Sequence, residues 1–385
     1  MDFTLTEEQQ ILRRTVHDFA VKELAPSARE RDALEEFPWD AYRGLAQLGL
    51  TGLGISPDLG GAGGGLVETA VVIEELARVD PSTSLSFLAS HSLTTLGIAR
   101  FADDAQRQKY VPPLARGEVM GAFAYTEPDA GSDAAAIATT AVRGGDGYVL
   151  NGTKIFITNG DIAETFLAFA TENRGQRHRG IVAFIVERGF PGVETSKQHD
   201  KLGMRSSGTA EVFFRDCRVP AENRVGGDAQ GFKIGMQVLE GSRPIIGAQA
   251  VGIAQGAFDL ALRQVRQRKQ FGQTLSEFQG VQWMLADMAT RIDASRLLVY
   301  RAASLRDQDQ PSAKESSMAK LFASETAMHV ASTALQLHGG YGYFKESPVE
   351  RFFRDAKVTE IYEGTSQIQR LVIAREILAE QTPGA

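Results

Sequence analysis

Apolar residues recur at helical spacing near both ends of the chain and in short alternating runs through its middle, a pattern that predicts a helical, then β, then helical order. At the start, Leu12, Val16 and Phe19 share one face behind Thr6-Glu7-Glu8-Gln9, which fits the S/T-x-x-E/Q capping box, and Pro26 should end that run. Val72, Leu76 and Val79 stripe a second helix over Leu66 to Val79, stopped by Asp80-Pro81. Between them, GLGISPDLGGAGGGL (52–66) holds neither phosphate-loop spacing and follows no clear strand, so it reads as a helix-helix connection.

From about Met120 to Arg224 the period shortens. TTAVR, GGDGYVL, NGTKIFITNG, TFLAFAT, GIVAFIVE and AEVFFRDCRV are β-rich pieces punctuated by Gly-Gly-Asp-Gly, Asn-Gly and Pro-Gly, with Asn151-Gly152 read as a turn. Short strands at close spacing predict a small barrel or sandwich. Helices return at about Gly231. Ser276-x-x-Gln279, Ser312-x-x-Glu315 and Ser366-x-x-Gln369 read as capping boxes, the first two opening runs striped by Val281, Leu285, Met288, Ile292 and by Met318, Leu321, Phe322. Gly339-Gly340 supplies a C-terminal stop, and the set suffices for an up-and-down bundle. The expectation is an α+β multidomain chain: a helical domain over 1–118, a β domain over 119–226 and a helical bundle over 227–385.

Length and charge narrow the classes. A chain of 385 residues allows two or three domains, and a net charge of -7 gives no basic footprint for nucleic acid. One cysteine, Cys217, excludes an internal disulfide framework and a Cys-rich zinc site; no metal is expected. No 18 apolar residues run without charge, so no membrane span is expected, and MDFTLTEEQQILRR has no targeting pattern. A cytoplasmic location is the expectation. There is no G-x-S-x-G, H-E-x-x-H, C-x-x-C or Walker loop, so the corresponding hydrolase, zincin, thiol-redox and NTPase readings lack support.

Several short motifs carry candidate chemistry. In EIYEGTSQIQR (360–370), Glu363 precedes Gly364 on a loop facing a helix start, a suitable address for a base, although a solvated loop glutamate is the commoner meaning of such a pattern. FAYTEPDAGSD (123–133) offers backbone N–H groups and a hydroxyl at Gly131 and Ser132 for a phosphate, and Tyr125 and Thr126 for a flat ring; by itself it also reads as a polar turn. In KIFITN, Phe156 and Thr158 alternate to one face. Arg268 and Arg243 are candidate anion contacts or solvated helix arginines, and QLHGG (336–340) allows close backbone approach.

Taken together, YTEPDAGSD, KIFITNG, DKLGMRSSGTAEVFF, RKQFG, QLHGGYGY and EIYEGTSQIQR stand in an order that resembles the acyl-CoA dehydrogenase family of flavoproteins over nearly the whole chain. The resemblance implies an N-terminal helical domain, a middle β-barrel and a C-terminal four-helix bundle, assembled as a homotetramer with FAD in each subunit. It implies that Phe123, Tyr125, Thr126, Gly131, Ser132, Phe156, Ile157 and Thr158 hold the flavin. Arg268, Phe271, Gln279, Gln336, Leu337, Gly339 and Gly340 would reach a neighbouring subunit's FAD, and Thr365, Ser366 and Gln367 would complete the cofactor site. Ser132, Glu240, Arg243, Tyr362 and Gly364 would contact the CoA substrate. Glu363 would remove the α-proton, buried among Ile361, Tyr362 and the acyl chain, since Ser242 stands where other branches carry their base. Phe156 and Glu240 stand where the family often has tryptophan and aspartate. The implied activity is dehydrogenation of an acyl-CoA to a trans-2-enoyl-CoA in fatty-acid β-oxidation, with electrons passing to electron-transfer flavoprotein. A flavin monooxygenase or oxidase on the same fold, or a catalytically silent flavoprotein scaffold, is the alternative. The segment 84–98, apolar and without arginine, should line the acyl cavity.

Overall fold

The computed structural model describes residues 4–380. Seven helices precede the sheet: α1 (Glu7–Phe19), α2 (Ala28–Leu34), α3 (Trp39–Gln47), α4 (Leu66–Val79), α5 (Pro81–Leu88), α6 (Leu96–Phe101) and α7 (Asp104–Ala115). Strands β1 (Gly121–Ala124), β2 (Thr140–Gly144), β3 (Gly147–Thr158), β4 (Thr165–Thr171), β5 (Ile181–Glu187), β6 (Val193–Lys197), β7 (Thr209–Pro220) and β8 (Arg224–Val225) follow. Then come α8 (Gly231–Gln267), a hairpin of β9 (Lys269–Gln270) and β10 (Gln273–Thr274), α9 (Gln279–Asp307), α10 (Ala313–His338), α11 (Val349–Val358) and α12 (Ser366–Glu380). The helical, β, helical order is the one the periodicity predicts.

Local chemistry sets the ends of these elements. Thr6 and Gln9 form the reciprocal cap, the Gln9 N–H donating to Thr6 Oγ1 at 3.2 Å and the Thr6 N–H to Gln9 Oε1 at 3.0 Å. Pro26 does not cut the run at once, because the backbone continues through a π-helical turn, Ala20–Leu24, and a 3-10 turn before α2 begins. The cap before α9 belongs to Thr274 and Glu277 rather than Ser276 and Gln279. Ser312 precedes α10 without a side-chain cap, and α12 is capped one residue earlier than expected, the Ile368 N–H donating to Thr365 Oγ1 at 3.3 Å.

The sheet runs β6-β7-β3-β2-β4-β5-β8, with β1 parallel to β4. β2 and β4 share one register pair, Thr140 with Thr171, so the sheet bends there and its two halves enclose a common core that includes Leu150, Phe166, Phe184, Val212 and Phe214. Asn151-Gly152 is not a turn. It lies inside β3 at a bulge, where Asn151 exchanges hydrogen bonds with Asp216 of β7 at 2.8 and 3.0 Å and so keeps the strands paired across the extra residue.

Helices from both ends of the chain build one core around α8. By length and composition α8 is apolar enough to cross a membrane, with a mean hydropathy of 1.4, but 72% of that window is buried within the protein. Its partners approach closely because the facing residues are small. On α10 the buried face is Ser316, Ala319, Lys320, Ala323, Ala327, Ala331 and Ala334 rather than the expected bulky stripe, and Phe322 is 36% exposed. On α8 itself, a Cβ at Gly252 would lie 2.2 Å from the Glu74 carbonyl oxygen of α4. Gly252→Ala is therefore expected to cost about 1–3 kcal/mol and lower Tm. Gly280→Ala, with no atom of the described residues within 4 Å of the added carbon, should not lower it. Thermal melts of the two variants check this, and an unchanged Tm for Gly252→Ala would contradict the packing.

Candidate functional site

One face of α8 carries three contacts, each seven residues after the last. The Tyr125 ring lies over Gly235, the Ser242 hydroxyl donates to the Glu363 carboxylate, and Gln249 Oε1 accepts from the Tyr362 hydroxyl. Seven residues are close to two turns, so the contacts share a side and stand about 10 Å apart. Gln249 in turn donates to Ser84 Oγ at 2.8 Å, tying the face to α5.

Glu363 and Gly364 have φ of 51° and 94°. The first is a left-handed conformation that costs a glutamate about 1–3 kcal/mol unless its surroundings impose it. The surroundings here do so: Lys320 Nζ donates to the Gly364 carbonyl at 2.8 Å, and Gln369 Nε2 donates to the Glu363 and Gly364 carbonyls at 3.2 and 2.9 Å. The turn aims the carboxylate inward at α8. Burial pushes that carboxyl up to about 7, while the Ser242 hydroxyl and the charges of Lys320 and Arg243 pull the other way. Desolvation lowers Arg243, and burial raises the Tyr362 phenol with help from Glu363. Ile361, expected to help bury the carboxylate, is 53% exposed and points outward; the Tyr362 ring and the two helices do that work.

The two segments predicted to hold a flat ring lie side by side. The Ile155 N–H donates to the Thr126 carbonyl at 2.9 Å, and Lys154 Nζ donates to the Tyr125 carbonyl at 3.1 Å and to Glu127 Oε1 at 2.7 Å. Glu127 also accepts the Ala138 and Thr139 N–H groups at 2.5 and 3.0 Å, so this buried ion pair pins the loop after β1 to β3. Burial draws Lys154 down to about 8, against the pull of Glu127. Phe156 sits at φ 59° in the β3 bulge and is 65% exposed. Thr126, Thr158 and Phe123 are partly buried, Ile157 and Tyr125 are buried, and Ser132 is exposed beside Gly131, which has open space around it. An exposed aromatic on strained backbone, flanked by hydroxyls and an open glycine, suits a flavin, and these residues fit that group.

A second set gathers at the other end of α8. Arg268 caps that helix and lies over Tyr341, 5.5 Å from the ring centre, beside the exposed Gly339 and Gly340. Phe271, 94% exposed, meets Phe278, which precedes the exposed Gln279. Gln336 is exposed, whereas Leu337 turns into the core. Thr365 caps α12, the exposed Gln367 follows Ser366, and Ser366 Oγ is buried without a partner among the described residues. Glu240 pairs with Arg306 at 3.2 Å, and Arg243 reaches Ser317 Oγ at 3.3 Å. Near the start of α8, between its Gly235 and Ser242 contacts, a cavity of about 330 Å³ opens, lined in part by Ser92, Leu96, Arg100, Gln237, Gly241 and Arg306.

The sequence did not single out Lys320, Gln249, Lys154, Arg100 or Arg306. Lys320 had a legible sign: it is the charged residue in the Ser316, Ala319, Ala323 face of α10. The others acquire their roles only when separate segments meet.

Residues 6–118, 122–217 and 229–378 match the N-terminal, middle and C-terminal domains of acyl-CoA dehydrogenase. The chain is 48% identical over 377 residues to the short-chain specific acyl-CoA dehydrogenase of Clostridium acetobutylicum, covering 98% of this chain and 100% of the relative. Among solved structures, butyryl-CoA dehydrogenase from Megasphaera elsdenii superposes with a TM-score of 0.96 at 42% identity, covering 98% and 100% of the two chains. A chain in the structure described as electron transferring flavoprotein of Acidaminococcus fermentans gives 0.97 at 46% identity, with the same coverage.

Removing one half of the buried pair leaves the other charge unpaired. Lys154→Met is expected to cost about 3–5 kcal/mol. Denaturant unfolding checks this, and a loss below about 1 kcal/mol would contradict the pinning role.

Proposed function

The chain belongs to the acyl-CoA dehydrogenase family of FAD-dependent oxidoreductases, and from that premise we propose that Glu363 is the base in its dehydrogenation of an acyl-CoA thioester to a trans-2-enoyl-CoA. The observation that carries this is the carboxylate itself, turned inward on a strained turn and raised by burial to about 7. A carboxylate in that range is a far better proton acceptor than a solvated one and is still ionised in part at neutral pH. The Glu363 N–H makes no hydrogen bond among the described residues and is left to the thioester oxygen, where negative charge grows as the α-proton departs. Bound FAD supplies the acceptor for the β-hydride. Phe123, Tyr125, Thr126, Gly131, Ser132, Phe156, Ile157 and Thr158 would hold it, and Thr365, Ser366 and Gln367 would close the site.

The substrate we infer is a short-chain acyl-CoA. An acyl group lying along α8 from Ser242 meets the Gln249, Tyr362 and Ser84 network after about 10 Å, which leaves room for few carbons beyond the reacting pair. Arg100 and Arg306 line the cavity and suit the phosphate-bearing part of CoA, Glu240 holding Arg306 in place, and Arg243 would add a further cation to the substrate contact. Tyr125 at Gly235 and Arg268 at the end of α8 are 33 residues apart along one helix, about 50 Å, too far to share one FAD. Arg268, Phe271, Gln279, Gln336, Gly339 and Gly340, with Leu337 through its backbone because its side chain is in the core, would therefore serve a neighbouring subunit, as a homotetramer requires. Electron-transfer flavoprotein is the proposed acceptor, the cytoplasm the proposed location, and 1–118, 119–226 and 227–385 the proposed domains.

Glu363→Gln should retain bound flavin and lose turnover by ~10³-fold, assayed with butyryl-CoA. In the unsubstituted enzyme the rate should climb as pH rises through about 7, since the ionised carboxylate is the active form. Near-normal turnover in the variant sinks the assignment. Gln249→Ala should shift preference, by kcat/KM, towards longer chains; an unchanged ranking of butyryl- and octanoyl-CoA would remove Gln249 from the pocket.

A further inference from the structure

Lys320 is the charged residue among those α10 buries, and its side chain is 0% exposed. Its hydrogen bond among the described residues goes to the Gly364 carbonyl at 2.8 Å, one peptide beyond Glu363 and inside the left-handed pair. We propose that Lys320 is the positioning residue of the base, fixing the Glu363-Gly364 turn through that carbonyl and setting the proton affinity of the carboxylate by its charge. The inference rests on Glu363 being the base.

The alternatives for this role are weaker. The groups that face Glu363 are Ser242 and Arg243 from α8, Lys320 from α10 and Tyr362 from its own segment, while Glu360 faces Lys320. Ser242 is neutral. Arg243 is drawn towards Glu240 as well and bonds Ser317 Oγ, so its charge is shared. Tyr362 is held by Gln249, and Glu360 is taken up by Lys357 at 2.5 Å. Lys320 has no carboxylate in direct contact among the described residues, and burial lowers it to about 8, which leaves it charged at neutral pH. A buried ammonium without an ion pair is expensive, and of its two nearby countercharges the carboxylate of the proposed base acts more strongly than Glu360, which Lys357 already pairs.

The test isolates proton transfer from turnover. An acyl-CoA analogue with sulfur in place of the β-carbon has an α-proton to lose and no β-hydrogen. In D₂O, Glu363 would take the α-proton and return a deuteron, read by mass spectrometry across a pH series on the FAD-loaded protein. Lys320→Met should move the midpoint of this exchange up by about half a pH unit or more and slow it severalfold at neutral pH, because loss of the positive charge raises the carboxyl further. Lys320→Arg should recover much of both. A Lys320→Met profile matching the unsubstituted protein in midpoint and within twofold in rate overturns the proposal. If that variant does not fold, Lys320→Gln keeps a donor for the Gly364 carbonyl without the charge: an upward midpoint supports the role and an unmoved one overturns it. Absence of exchange in the unsubstituted protein would instead refute Glu363 as the base.

Discussion

The structure depends on holding one half-buried carboxylate inward on a backbone turn that glutamate does not favour. Left alone, Glu363 would relax to an ordinary conformation and turn to solvent, where its carboxyl would be a weak base. Three helices prevent this. α8 presents Ser242 to the carboxylate, α10 presents Lys320 to the next carbonyl, and α12 sends Gln369 back to both carbonyls of the turn. Strain and desolvation are thus offset by hydrogen bonds from elements far apart in sequence, and the result is a carboxyl held near 7.

Helix α8 lets the rest of the molecule serve that group. It is long enough to touch the sheet at Gly235, the Glu363 carboxylate at Ser242, the Tyr362 hydroxyl at Gln249 and the hairpin at Arg268. Gly252 of α8 and the small buried residues of α10 let α4 and α10 lie close, so the spacing along its axis is firm. The Lys154–Glu127 pair does the corresponding task in the sheet, locking the two segments assigned to the flavin to each other.

Much of this was legible in the residues. The helical and β periods gave the element order, Leu66–Val79 and Gly231 gave element limits that the structure repeats, and Glu363 beside Gly364 stood out as a carboxylate at a helix start. What was not legible has physical causes. Ser276 and Ser366 have the letters of a capping box, but the side-chain oxygens of Thr274 and Thr365, one or two residues earlier, accept the free N–H groups instead, and Ser312 precedes α10 without a side-chain cap. Asn151-Gly152 has the letters of a turn, but Asp216 across the sheet holds it extended. The α10 face is small rather than bulky because close helix packing, not side-chain volume, fills the space beside α8.

The most direct measurement of the central claim is an anaerobic titration of the FAD-loaded protein with butyryl-CoA, following the visible absorbance of the flavin. The account predicts stoichiometric bleaching with release of the trans-2-enoyl product. A flavin that stays oxidised with butyryl-CoA and with every longer or branched acyl-CoA offered would contradict it.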